Sequence, residues 1–187
     1  ITRKVADKLA SLFKNDRDGF EKKWNDIKIV IEYGMLSEEK FFEKSEKFAL
    51  YPTVDDKFYT YEELYNKIKA KQTDKDDKLV ILYSSDKQAQ HSYIEKAKNK
   101  GYEVLLLDSP IVSHLIQKLE SSKEKIQFAR VDSDHIDNLI NKDENKVSKL
   151  NEEEKKELED LVKTIVNDDK FVIKLESMDS NENPFII

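Results

Sequence analysis

The chain has 187 residues, enough to bury a sizeable core; 39% are charged, and the net charge is −6. Lys and Glu are interleaved rather than blocked, so there is no basic stripe to neutralise nucleic-acid phosphates. The lack of cysteine excludes a disulfide framework and thiolate chemistry, and neither a signal peptide nor an apolar run near the roughly 18 residues of a membrane span is present.

Only three glycines and three prolines punctuate the chain, which predicts a helix-rich protein with few tight turns. Ile1, Val5, Leu9 and Leu12/Phe13 recur at helical spacing and predict an amphipathic opening helix. Asn15 to Gly19 interrupts it. Phe20, Trp24, Ile27 and Ile31 give a second stripe, with Gly34 expected as a positive-φ C′ residue ending it. Ser37 is the expected N-cap of a third helix, burying Phe41, Ser45 and Phe48. Aromatics at this spacing belong to a core rather than to a cofactor. Tyr51 to Lys57 reads as a loop, and Thr60-x-x-Glu63 as a capping box that starts a short helix through Leu64 and Ile68.

After a polar stretch from Gln72 to Lys78 come three apolar runs: Leu79 to Tyr83, Gly101 to Leu107, and Ile126 to Val131. The first two are continuous, as in strands buried on both faces. Ser85-x-x-Gln88 is a capping-box pattern after the first run, opening a helix with Ala89, Tyr93 and Ala97 inward. Ser109 as N-cap and Pro110 at N1 open the next helix, with Val112, Leu115, Ile116 and Leu119 facing the sheet. Crossovers of this length join parallel strands by right-handed connections. Asp132 to Ile140 predicts one more short helix.

Asn141 to Lys146 is polar and without periodicity, the best linker candidate. Beyond it, Asn151-x-x-Glu154 resembles a capping box ahead of a stripe of Leu158, Leu161, Val162 and Ile165. Phe171 to Leu175 reads as a strand, Met178 to Asn183 as a turn, and Pro184 to Ile187 as the start of a partner strand. A helix with a cut-off hairpin cannot close a core. The chain also starts inside a periodicity and ends on Phe185-Ile186-Ile187, so the expectation is a piece of a larger protein. The predicted organisation is α/β: a helical segment over 1–76, a small three-layer α/β/α unit with a short, mainly parallel sheet over 77–140, and a linker with the start of an α+β domain over 141–187.

The residues offer little chemistry. Asp86 and Asp108 follow adjacent strands and could hold Mg²⁺ in a receiver-like module, although Ser85, Asp86, Asp108 and Ser109 serve equally as helix caps. No glycine-rich phosphate loop is present. His91, His114 and His135 lack metal-ligand spacing, and Asp132 to Asp137 lacks the turn glycine and distal glutamate of a calcium loop. Nothing resembles a nucleophile elbow or a Ser-His-Asp order.

Several stretches in order resemble the ninety-kilodalton heat-shock chaperones, in particular their bacterial branch. They are Ile1 to Leu9, Phe20 to Trp24 with Ile31-Glu32-Tyr33-Gly34, Lys47 to Tyr51, Leu79 to Ser85, and Gly101 to Leu107. At Lys47 to Tyr51 the family's usual arginine is missing. The resemblance implies an ATP-dependent, cytoplasmic chaperone that binds unfolded client proteins and dimerises through its C-terminal domain. It implies no nucleic-acid or membrane partner. It further places this chain at the later part of the middle domain and the opening of the C-terminal domain. The ATP and Mg²⁺ site and the arginine that reaches the γ-phosphate would lie before Ile1, and the main dimer contact beyond Ile187, so this segment itself would hold no cofactor and turn over no ATP. In bacterial members a client-binding patch follows the second of these strands; the matching positions are Ser113, His114 and Gln117. All three differ from the family's acidic residue, tryptophan and asparagine, leaving the patch without a large aromatic. In such a module the polar composition of Asn141 to Lys146 suggests a hinge between a rigid lever and the dimerisation domain.

Overall fold

The computed structural model describes residues 2–134, 136–140, 150–166, 172–173 and 175. The chain divides into two compact units, Ile1–Lys142 and Asp143–Ile187. In the first, helices α1 (Thr2–Asn15), α2 (Arg17–Lys22), α3 (Trp24–Ser37) and α4 (Glu39–Ser45) precede a hairpin of two short strands, β1 (Tyr51–Pro52) and β2 (Phe58–Tyr59). Helix α5 (Tyr61–Ile68) leads into β3 (Leu79–Ser84), α6 (His91–Asn99), β4 (Val104–Leu106), α7 (Val112–Ser122), β5 (Ile126–Arg130) and α8 (Ile136–Leu139).

The central sheet has the order β4-β3-β5 with both pairings parallel, Leu82 opposite Val104 and Ile81 opposite Phe128. Alternation along β3 explains its continuous apolar run. Leu79 and Ile81 join Leu105, Leu115, Leu119 and Phe128 on one face, while Val80 and Leu82 join Ile94, Ala97, Val104 and Val131 on the other. Helices therefore cover both faces, as expected for a parallel sheet, and the predicted three-layer α/β/α arrangement is found.

Both sheet edges are blunted, which limits pairing with other chains. Along β4, Thr53 bridges Leu105 and the Val54 N–H donates to the Val104 carbonyl at 3.0 Å. At β5, the outward N–H of Phe128 donates to Glu120 Oε1 at 2.7 Å, so a side chain of α7 occupies that donor.

The helical segment is held by edge-to-face aromatics. Phe20 stacks against Phe13 at 5.6 Å and Phe48 at 6.5 Å between ring centroids, and Phe48 against Phe41 at 5.9 Å. Phe48 is fully buried, so its removal would forfeit about 3–5 kcal/mol of transfer and cavity energy.

Several local expectations fail for identifiable reasons. Gly34 does not end a helix: it lies inside α3, which continues to Ser37, and the positive-φ glycine among the described residues is Gly101 (φ 75°). Ser37 does not cap α4; its hydroxyl donates back to the Tyr33 carbonyl at 2.8 Å, and Glu38 takes the cap position without a side-chain bond. In α1 the inward face is Ala6, Leu9, Ala10 and Phe13, whereas Val5 and Leu12 are exposed. Tyr51 to Lys57 is partly strand, because Tyr51 pairs with Tyr59 across β1 and β2.

The Ser85-x-x-Gln88 box does not form. Asp86 Oδ1 instead accepts from the N–H groups of Gln88 and Ala89, and α6 begins only at His91, leaving Ala89 exposed. At α7 the Ser109 and Pro110 turn precedes the helix, whose N-cap is Ile111. The Thr60–Glu63 box, by contrast, is complete in both directions.

In the second unit, α9 (Glu152–Val166) starts at a reciprocal box. Glu154 N–H donates to Asn151 Oδ1 at 2.9 Å, and Asn151 N–H donates to Glu154 Oε2 at 2.8 Å. Leu158, Leu161 and Ile165 are exposed along its stripe. The predicted linker at Asn141 to Lys146, the turn from Met178 to Asn183 and the partner strand from Pro184 lie outside the described residues. So do Phe171 and Lys174 of the predicted strand, whose described residues Val172, Ile173 and Leu175 form no strand.

Candidate functional site

Helix α7 begins where β4 delivers the chain. The Leu107 N–H donates to the Ser84 carbonyl at 2.9 Å, carrying the backbone past the end of β3, and the Ser109 turn then starts the helix. Leu115 and Leu119 point into the core, so the helical period turns Ser113, His114 and Gln117 outward, where all three are exposed. The sequence-derived candidates therefore share one solvent face, presenting a hydroxyl, an imidazole and a carboxamide.

That face is carried on a firmly fixed helix. Lys118 pairs with Glu39 and lies 4.9 Å from the Phe42 ring centroid. Lys123 pairs with Glu46 and lies 4.1 Å from the Tyr61 ring centroid. Each lysine joins a cation–π contact to an ion pair, which pins the middle and the C-terminal end of α7 to the helical segment.

The carboxyl ends of the strands, where open α/β sheets usually bind ligands, are filled by the chain itself. Gln90 is 6% exposed and its Oε1 accepts from the Ser84 hydroxyl at 2.8 Å and the Ser85 N–H at 3.0 Å. Gln90 also hydrogen-bonds Asp132 just beyond β5. Burial pushes the Asp132 carboxyl up, but the bonds from Gln90 and Arg130 outweigh it and hold the group below its ordinary value. One glutamine thus closes the crevice between β3 and β5.

Asp86 and Asp108 are each engaged by other groups. Asp86 is used in capping the turn before α6, and Asp108 accepts from Lys28 Nζ at 2.5 Å. Among the described residues no group of three His, Asp or Glu side chains could hold a metal. His91 is exposed at the start of α6, far in sequence from His114, and His135 lies outside the described residues.

Three polar residues central to the packing were not singled out by sequence. Gln72 is 1% exposed; its Nε2 donates to the Val80 carbonyl and its Oε1 accepts from the Glu103 N–H at 2.6 Å. Gln90 is the second. The third is Glu32, 7% exposed on the buried face of α3 beside Trp24, Ile31 and Met35. A helical projection from Trp24 places Lys28 and Glu32 on that apolar face, so this signal was present in the spacing.

Comparison with known proteins follows the same outline. The family described as "Hsp90 protein" matches residues 1–184. Relatives include Chaperone protein HtpG of Bacteroides thetaiotaomicron, 55% identical over 157 residues that cover 84% of this chain and 23% of that protein. HtpG of Bacteroides fragilis strain 638R is 45% identical, and HtpG of Porphyromonas gingivalis ATCC 33277 is 43% identical; each match covers 100% of this chain and 28% of the relative. The chain therefore spans about a quarter of the length of the curated relatives it matches. Among solved structures, the middle domain of a Plasmodium falciparum heat shock protein superposes with a TM-score of 0.54 at 20% identity, covering 70% of this chain and 55% of that one. That likeness supports the α/β fold.

Proposed function

Since the chain belongs to the Hsp90 family, we propose that it is the later middle-domain segment of an ATP-dependent chaperone, with the opening of a C-terminal dimerisation domain after about residue 140. In this reading the segment binds no nucleotide. It transmits rearrangement from an ATPase domain elsewhere in the same protein and contacts unfolded client proteins in the cytoplasm, without nucleic acid or membrane. No helix among the described residues is long and apolar enough to cross a membrane.

The observation that carries the reading is the shared exposed face of Ser113, His114 and Gln117 on a helix whose opposite face is core and whose middle and C-terminal end are pinned by Lys118 and Lys123. A contact surface that must resist a client's pull is best built on such an element. The face lacks a large aromatic anchor, so it supplies hydrogen bonds and shape rather than a hot-spot pocket. Carboxylates there would repel acidic clients and would solvate the face against apolar ones.

The test is suppression of aggregation of a heat-unfolded client by the full-length protein carrying His114→Glu together with Gln117→Glu. Weaker suppression at unchanged melting temperature is expected. Unchanged suppression would remove client contact from this face. A second measurement addresses the remainder: the isolated 187-residue chain should show no ATP-dependent rise in melting temperature, and a clear rise would overturn the assignment of parts.

A further inference from the structure

Glu32 stands out from every other acidic side chain described. It is 7% exposed, it lies between Trp24 and Met35 of its own helix and Leu115 of α7, and its Oε2 has no hydrogen-bond partner among the described residues. The adjoining cleft has a volume of only about 10 Å³, the lower limit for a single water molecule. The Ser109 hydroxyl donates to the carboxylate from the loop between β4 and α7. Lys28 lies one turn before Glu32, but its ammonium is taken by Asp108 of the same loop. From β1 the seam receives the phenol of Tyr51, itself fully buried and pushed above its ordinary value by desolvation. From α7 it receives only the apolar Leu115.

The groups facing Glu32 are therefore one lysine already paired, one aspartate, one tyrosine and one serine. An ionised carboxylate here keeps an oxygen unsatisfied against aromatic and aliphatic walls, which is costly. The protonated form is not charged and suits those walls. Burial pushes the Glu32 carboxyl above its ordinary value, with Asp108 adding to this and Ser109 and Lys28 opposing it.

We propose that Glu32 is a protonation-dependent clasp between α3 and the loop that feeds α7, closed when the carboxyl is neutral and loosened by water entry when it is ionised. The proton is exchanged with solvent, and no other group changes its covalent state. Because the Ser109 turn leads directly into α7, loosening it frees the first turn of that helix while Lys118 and Lys123 still hold the rest. The clasp acts on α7 whatever α7 contacts.

Hydrogen exchange of the full chain between pH 5 and pH 8, corrected for intrinsic exchange, reads this directly. Protection of the amides of Ser109 and residues 111–114 should fall as pH rises, by about tenfold for each unit that the folded carboxyl value exceeds the unfolded one. Glu32→Gln, which keeps the shape without the charge, should hold the protected level at both pH values. Asp108→Asn should retain the fall. Protection that does not change with pH in the parent chain overturns the proposal. So does a fall that survives in Glu32→Gln, or one that vanishes in Asp108→Asn, which would assign the titration to the Lys28–Asp108 pair. Melting temperatures of both variants, measured alongside, separate a local effect at the turn from global loss of fold.

Discussion

Gly34 and Phe41 are packed so closely that a β-carbon on Gly34 would sit 2.8 Å from the Phe41 ring. Phe41 is buried against Phe48 and cannot swing away. The glycine is thus selected by the approach of α3 to α4 and by nothing in its own backbone conformation. Gly34→Ala should destabilise the chain by about 1–3 kcal/mol through overpacking, partly offset by about 1 kcal/mol of better helix propensity. Urea unfolding checks it, and a stabilised variant would show that the α3–α4 contact relaxes freely.

Arg17 ties α2 to α1, β2 and α5. Its Nε bonds Glu21, its two terminal nitrogens take Glu63, Nη2 also donates to the Phe58 carbonyl at 3.0 Å, and the guanidinium lies 5.3 Å from the Phe13 ring centroid. Both partners of the Arg17–Glu63 pair are more than a third exposed, so solvent screening limits its worth. Arg17→Ala should cost about 1–2 kcal/mol, and Arg17→Lys should recover little because the forked geometry is lost. A chemical-denaturation series on the three proteins decides the order.

The Arg17 bond also holds the Glu63 carboxyl below its ordinary value of 4.5. The stability it contributes is present above that unfolded value and is lost as pH falls through the lower folded one. Arg17→Ala should therefore flatten the acid side of a plot of melting temperature against pH. An unchanged acid limb would mean that Glu63 gains its stabilisation from Thr60 alone.

Glu32 behaves in the opposite sense. Its folded value lies above 4.5, so the neutral form is favoured by folding. The penalty is absent below the unfolded value, grows as pH rises toward the folded one, and stays constant above it. Glu32→Gln should raise the melting temperature at pH 8 and leave it nearly unchanged at pH 4. Equal shifts at both pH values would show that the carboxamide acts by packing and not by charge.

Gln72 serves two strands at once, bonding the Val80 carbonyl of β3 and the Glu103 N–H ahead of β4. Gln72→Leu keeps the volume but strands both backbone groups away from water. A loss of about 2–4 kcal/mol is expected, at about 1–3 kcal/mol for each unsatisfied group. Thermal unfolding measures it, and a loss below 1 kcal/mol would show that solvent reaches the site.

Short-range interactions made much of this molecule legible in its sequence. The Thr60 and Asn151 boxes close within three residues, so residue type and spacing suffice to find them. The apolar runs of β3 and β4 needed only the fact that a parallel strand is buried on both faces. Ser113, His114 and Gln117 were marked by family resemblance and not by spacing, and their outward position agrees with the period of α7 with Leu115 and Leu119 in the core. Where the same local pattern competes with a distant partner, only the tertiary structure decides. Ser37 matches an N-cap but bonds Tyr33; Ser85 and Gln88 match a box, yet Asp86 and Gln90 take over the turn. Gly34, Gln72 and Glu32 depend on contacts with Phe41, Glu103 and Ser109, as far as 77 residues away for Glu32. Sequence alone determined most of the longer helices, the three strands of the central sheet and the family they belong to, because those rest on short-range spacing and ordered motifs. Which polar side chains are buried, and what their burial does to their charge, was decided by long-range packing that no spacing rule records.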